Sequence, residues 1–181
     1  MAGSLYDTGP DFARPSARSR KMEHLIYDAD RDGAGEWELV SDQVMGGVSD
    51  GALSVQQVAG RAAIRLTGTV STDNDGGFLQ LARDVDSAAG WNGIALTVRG
   101  NAEPYNLHLR TTALQRPWQS FRATFDATED WQTHRIAFDK LTAHRTDETF
   151  DAAALSRMGL VAIGRDFRAD LALSKLVLFR D

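Results

Sequence analysis

Hydrophobic residues recur at every second position through much of the chain, the period of a strand with one buried face, and short glycine- and asparagine-rich breaks separate the runs. Over residues 92–100, Ile94, Leu96 and Val98 share one face while Ala95, Thr97 and Arg99 share the other. Tyr105, Leu107 and Leu109 alternate with Asn106, His108 and Arg110; Phe121, Ala123 and Phe125 alternate with Arg122, Thr124 and Asp126. Two successive strands therefore each present a polar face. Residues 131–138 and 159–164 predict further strands, and 169–179 a long closing one. Its leucines change from odd positions (Leu171, Leu173) to even ones (Leu176, Leu178), the mark of a bulge. One segment departs from the period: Asp151 to Met158 reads as a short helix, with Asp151 capping an alanine-rich turn and Gly159 following the last residue. Turn signals at Asp50-Gly51, Ala59-Gly60, Asn74 to Gly77, Ala89-Gly90 and Gly100-Asn101 complete the pattern of an all-β antiparallel sandwich with one short α-helix.

The alternation breaks most sharply between Trp37 and Gly51, where Gly46 and Gly47 stand side by side. A glycine in extended chain gives up roughly 0.5 to 1 kcal/mol relative to alanine, so the pair implies positive φ or a close backbone approach. Ser41, Asp42, Gln43 and Ser49 supply polar atoms that either tie this bend together or face a ligand. We expect the first: Asp42 accepting backbone hydrogen bonds, with Arg99 or Arg110 pairing with it. Met45, in the middle of the motif, is the side chain expected to form an exposed hydrophobic contact.

Composition narrows the classes. The 181 residues suit one domain, 43% of them are hydrophobic, and none is cysteine, which removes disulfide, thiolate-metal and cysteine-nucleophile chemistry. Residues 1–21 hold Pro10, Pro15 and several serines without an apolar period and are expected to be a poorly ordered leader before a domain spanning 22–181. The chain carries −5; the leader contributes +2, so the remainder carries −7. An acidic body argues against nucleic acid as partner. No apolar run reaches the roughly 18 to 20 residues of a spanning helix, so no transmembrane segment is expected. A cytoplasmic location follows, with a mitochondrial matrix one disfavoured by Asp7 and Asp11 in the leader.

Candidate chemistry is sparse. His24, His108, His134 and His144 show no recognised metal spacing. His108 stands out because its strand face also holds Arg110 and neighbours Arg122, although an exposed strand histidine is ordinarily just solvated. Asp73 to Gly76 has part of a calcium-loop pattern but lacks its alternating ligands, and reads as a hairpin turn. Trp37, Trp91 and Trp131 each open a strand and are expected to pack; Trp118, beside Pro117, is the exposed one, as a sugar-stacking ring would be. Asp84, Asp86, Asp147 and Glu148 read as solvated loop acids. No catalytic set, metal site or cofactor is assigned.

Taken in order, Trp37 with Asp42, Val44, Met45, Gly46, Gly47 and Ser49, then Gly76-Gly77-Phe78, Gly93-Ile94 leading to Arg99-Gly100, Tyr105 to Thr111, and Trp131 with Ile136 and Phe138, resemble the NADH:ubiquinone oxidoreductase complex I intermediate-associated protein family. The resemblance spans about Trp37 to Phe179; Ala137 and the Arg145-Thr146 pair depart from it. It implies a galactose-binding-domain-like jelly roll, and a noncatalytic module that assists assembly of respiratory complex I through protein contacts with its subunits or intermediates. Two other functions stay open: a lectin-like module for carbohydrate or a small molecule, and an enzyme on a sugar or nucleotide substrate using Asp42, Ser49, His108 and Arg110. The candidate ligand or partner surface is Met45, His108, Arg110, Trp118 and Arg122.

Overall fold

Alternation decides which face each strand buries, and a computed structural model, which describes residues 21–181, shows where those faces meet. Apart from Lys21, the expected leader lies outside the described residues. In chain order the elements are β1 (Met22–Asp28), the one-turn helix α1 (Ala29–Asp32), β2 (Glu38–Ser41), β3 (Asp50–Val58), β4 (Arg61–Val70), β5 (Phe78–Asp84), β6 (Gly93–Arg99), β7 (Glu103–Thr111), β8 (Ser120–Ala127), β9 (Gln132–Ala137), β10 (Thr142–His144), β11 (Leu155–Ile163) and β12 (Phe167–Arg180). Two antiparallel sheets form. The first runs β3-β4-β12-β6-β9 with β1 also on β12, and the second runs β10-β8-β7-β11-β5-β2.

Their facing sides make one core. Leu96 of β6, Leu107 and Leu109 of β7, Leu160 of β11 and Leu171 of β12 are completely buried there. Burying such a side chain stabilises by about 1.5 to 3 kcal/mol each, which holds the two sheets face to face. Tyr27 closes one end of this core, donating its hydroxyl to the Gly33 carbonyl at 2.5 Å with its ring edge-on to Trp37. Tyr105 closes another, its hydroxyl donating to Asn101 at 2.6 Å and accepting from the Asp170 amide at 2.9 Å.

The antiparallel sandwich and the bulge in the last strand are as the pattern predicts, and the jelly roll is as the family resemblance implies; the pairing of β12 with β6 shifts register between Leu173 and Lys175. Two expectations are corrected. The helix over 151–158 is absent; Asp151 does cap, accepting from the Ala153 amide at 3.0 Å, but only a 3-10 turn at Ala152–Ala154 follows. From Leu155 onward the chain is β11, paired on both sides with β7 and β5. A register shift between Leu155 and Arg157 places Leu155 and Met158 three apart on the buried side, so a bulged strand imitates a helical period. The short helix that does form is α1, capped by Asp28. The second correction concerns Asp73 to Gly77, which joins β4 in one sheet to β5 in the other and is no hairpin. Positive φ at Asn74, Asp75 and Gly77 turns the chain across the edge of the sandwich.

Candidate functional site

At the end of β2, Ser41 caps a 3-10 turn, Asp42–Met45, which Gly46 terminates in the left-handed conformation with φ +85°. The two glycines answer different demands. Gly46 supplies the positive φ and has open space where a side chain would stand; Gly47 has ordinary φ, but a Cβ there would collide with the Asp42 carboxylate. A Cβ at Gly76 would meet the same carboxylate from the other side. Gly100 is bare for a similar reason, since a Cβ there would press on Ala127.

Asp42 is fully buried and accepts four hydrogen bonds: from the Ser49 amide (3.0 Å), the Ser49 hydroxyl (2.5 Å), the Gly77 amide (2.5 Å) and the Phe78 amide (3.3 Å). Ser49 Oγ also accepts from the Ser71 amide at 2.9 Å. Ser49 precedes β3 and Ser71 follows β4, whereas Gly77 and Phe78 open β5, so one carboxylate fastens the edges of both sheets. Burial alone raises its pKa, but the hydroxyl and amide donors outweigh that and hold it below the usual carboxylate range. The expected arginine partner is absent. Arg110 donates instead to the carbonyls of Leu114 (3.3 Å) and Arg116 (3.0 Å), and Arg99 makes no ion pair among the described residues. Backbone amides already neutralise the carboxylate, so no cation is needed.

The side of the second sheet turned away from the core forms the floor of a groove of about 640 Å³. All five residues of the candidate surface line it: Met45, His108, Arg110, Trp118 and Arg122. Val44 and Met45 stand on one wall, 75% and 63% exposed, carried there by the turn that Asp42 fastens. Trp118, 52% exposed with the Arg116 guanidinium near its ring, stands in the loop between β7 and β8. On the floor, His108 pairs in register with Arg122 on one side and Gly159 on the other, and the Gln80 side chain lies over Gly159 where any Cβ would sit.

His108 is only slightly exposed, in contrast to the solvated histidine expected. Its Nε2 has no hydrogen-bond partner, and its pKa is pushed down to about 3 by burial, with Arg122 and His144 adding to the effect. Arg110 Nε is likewise buried and unpartnered. His144, Arg145 and Arg157 also line the groove, and sequence alone missed them. Alternation would have found Arg157, had the bulge in β11 not disguised the strand. Asp84, expected in a loop, ends β5 and pairs with Arg157 at 2.8 Å.

Of the other motif residues, Gly76, Gly77 and Phe78 also line the groove. Trp37 is buried, Trp91 packs against the core edge, and Trp131 donates Nε1 to the Val58 carbonyl at 3.0 Å. Asp42 and Ser49 bond to each other and do not line the groove that holds His108 and Arg110, so the four-residue enzymatic set is not brought together. No group of three His, Asp or Glu side chains is placed for a metal among the described residues. A larger depression, about 810 Å³ around Trp91, Phe138 and Phe150, contains none of the five candidate surface residues.

Residues 28–173, which include the motif that builds this groove wall, match the family model described as Complex I intermediate-associated protein 30 (CIA30). The chain belongs to this family. Among curated proteins no sequence relative is found. This CIA30-family chain resembles a family 11 carbohydrate-binding module of a cellulosomal cellulase of Clostridium thermocellum, with 12% identity, a TM-score of 0.71, and coverage of 87% of this chain and 94% of that one. The same module type in complex with a β-1,3-1,4-mixed-linked tetrasaccharide gives 12% identity and a TM-score of 0.70 over 86% and 94%. A family 30 carbohydrate-binding module of a second C. thermocellum cellulase follows at 14% identity and 0.56, over 87% and 96%. At these identities the likeness is one of fold. No helix among the described residues is long and apolar enough to cross a membrane.

Proposed function

We propose that this CIA30-family chain is a noncatalytic binding module, residues 22–181 acting as one domain, and that its groove engages a protein partner during assembly of a respiratory complex I. The observation that carries this is the exposed pair Val44 and Met45 on a rigid turn at the groove mouth. Large apolar side chains held out by a buried hydrogen-bonded lock are the anatomy of a contact surface, and methionine adapts to a partner's shape. A cytoplasmic place of action beside the membrane-bound complex goes with it. The test is a photo-crosslinking residue at Met45 in the source cells, followed by identification of the crosslinked chain. A complex I subunit or assembly intermediate is expected; no such crosslink, together with intact complex I after deletion of the gene, would remove the proposal.

Carbohydrate is a second reading, favoured by Trp118. Its half-exposed indole beside Gln119 at the groove edge is the kind of flat face on which a pyranose ring stacks. A mixed-linkage β-glucan oligosaccharide that shifts Trp118 fluorescence would support it, and a glycan array without hits would end it.

A further inference from the structure

The groove divides along the strand order. On β2, β5, β11 and the turn after β2 its lining is mostly aliphatic or aromatic, with Val40, Met45, Phe78, Val161 and Ile163, interrupted by Gln80 and by the ion-paired Arg157. On β7, β8 and β10 it is basic, with His108, Arg110, Arg122 and His144, and Arg145 follows β10. No aspartate or glutamate lines it, although the chain has more acidic than basic side chains and a net charge of −5.

The basic side is also uncompensated. Arg110 lies directly across from Arg157, a like-charge pairing that is destabilising on a sheet face, and the uncharged His108 lies across from Arg122. Arg157 is neutralised by Glu38 and Asp84. Arg110, Arg122 and Arg145 have no carboxylate partner among the described residues; Arg122 Nε reaches only the Ser120 hydroxyl, at 2.8 Å. Arg110 Nε, a buried donor without an acceptor, sits on the same floor as the buried and unpartnered His108 Nε2. An arrangement this costly is relieved when an acceptor-only ligand arrives.

We infer that the groove binds an acidic polypeptide segment in extended conformation, its carboxylates seated on Arg122, Arg145 and Arg110 and its alternate apolar side chains on the Val161, Ile163 and Met45 side. This rests on the protein-partner reading above and specifies its chemistry. An extended segment running along the groove sends successive side chains to opposite walls, so a strict acidic–apolar alternation matches a groove basic on one wall and aliphatic on the other. Sugar rings ask for flat aromatic faces and for acceptors as well as donors, and branched aliphatic walls with donor-only arginines suit them less.

The test uses two labelled nine-residue peptides, one alternating glutamate with valine and one alternating glutamine with valine, together with polygalacturonate as an anionic sugar. Binding to the full chain is followed by fluorescence anisotropy for the peptides and by calorimetry for the sugar. The glutamate peptide is expected to bind at least tenfold tighter than the glutamine one, and to weaken as salt rises. Arg122→Gln is expected to lose at least tenfold affinity for it without losing melting temperature, since Arg122 has no ion pair to lose. Arg135→Gln, on the other sheet, leaves binding unchanged. Equal binding of the two peptides, or an Arg122→Gln variant that binds the glutamate peptide like the parent, overturns the acidic class. If that equal binding is abolished by Met45→Asp, the protein-partner proposal survives. Polygalacturonate binding without peptide binding overturns both, and absence of all binding overturns the inference alone, since the Met45 crosslink then decides the wider proposal.

Discussion

Replacing Asp42 with asparagine tests the lock with almost no change of shape. One carboxylate oxygen becomes an NH2 group. With nitrogen at the Oδ2 position, three donors (the Ser49 hydroxyl and the Gly77 and Phe78 amides) face another donor; with nitrogen at Oδ1, only the Ser49 amide does. The second orientation is cheaper and sets the expected cost. A hydrogen bond to a charged group contributes about 1.5 to 3 kcal/mol, and a buried amide left without an acceptor costs about 1 to 3 kcal/mol, two quantities that partly overlap. We expect a loss of about 3 kcal/mol, which for a domain of this size lowers the melting temperature by roughly 6 to 12 °C. Asp42→Ala removes every acceptor at once and is expected to cost about 5 kcal/mol, enough to leave little folded protein. Thermal and urea melts followed by circular dichroism at pH 7 measure both. Ser49→Ala removes the hydroxyl donor to Oδ2 and leaves the Ser49 amide in place, and is expected to cost about 1.5 to 3 kcal/mol. An Asp42→Asn protein melting within 2 °C of the parent would refute the lock.

Three further outcomes are expected. The two glycines should differ: Gly46→Ala meets open space and pays only for φ +85°, about 1 to 2 kcal/mol, whereas Gly47→Ala drives a methyl into the Asp42 carboxylate and should be the worse of the two in urea midpoints; equal losses would count against the close approach. Stability should fall on acidification. The His108 pKa of about 3 in the folded state lies below its unfolded value of 6.5, so the unfolded chain takes up the proton first; the stabilisation is complete above about pH 6.5 and is lost toward pH 3, with a ceiling of about 5 kcal/mol. Asp42, also depressed, adds loss of the same sign at the acid end, and His108→Gln should flatten the curve between pH 6.5 and 4, so a variant keeping the parent's slope there would contradict the burial of His108. Gly159→Val should displace the Gln80 side chain from the groove floor and weaken whatever the groove binds; unchanged binding with a displaced Gln80 would show that the floor is not used.

Local periodicity carried the strands that alternate cleanly. Over β6, β7 and β8 the side chains that face the core, from Ile94 to Phe125, are those whose spacing predicts it, because a period of two has one solution on a pleated sheet. It failed where a bulge broke the period. Leu155 and Met158 sit three apart on the buried side because β11 shifts register against β7 between Leu155 and Arg157, and no local signal separates that from a helical turn.

The paired glycines show the same division at the candidate site. The sequence by itself determined that Gly46 and Gly47 need a special backbone, a matter of residue propensity, and that Asp42 would need donors if the fold buried it. Only the tertiary structure decided which donors: Ser49 stands 7 positions away and Gly77 stands 35, and their amides neutralise a carboxylate for which an arginine partner was expected. The groove follows the same rule. Alternation placed His108, Arg110 and Arg122 on polar strand faces, but joining them to Met45, Trp118, His144 and Arg157 required β2, β5, β11 and β10 to find their places in one sheet. Strand order is set by contacts between distant segments, and the burial that lowers the His108 pKa exists only once those strands have met.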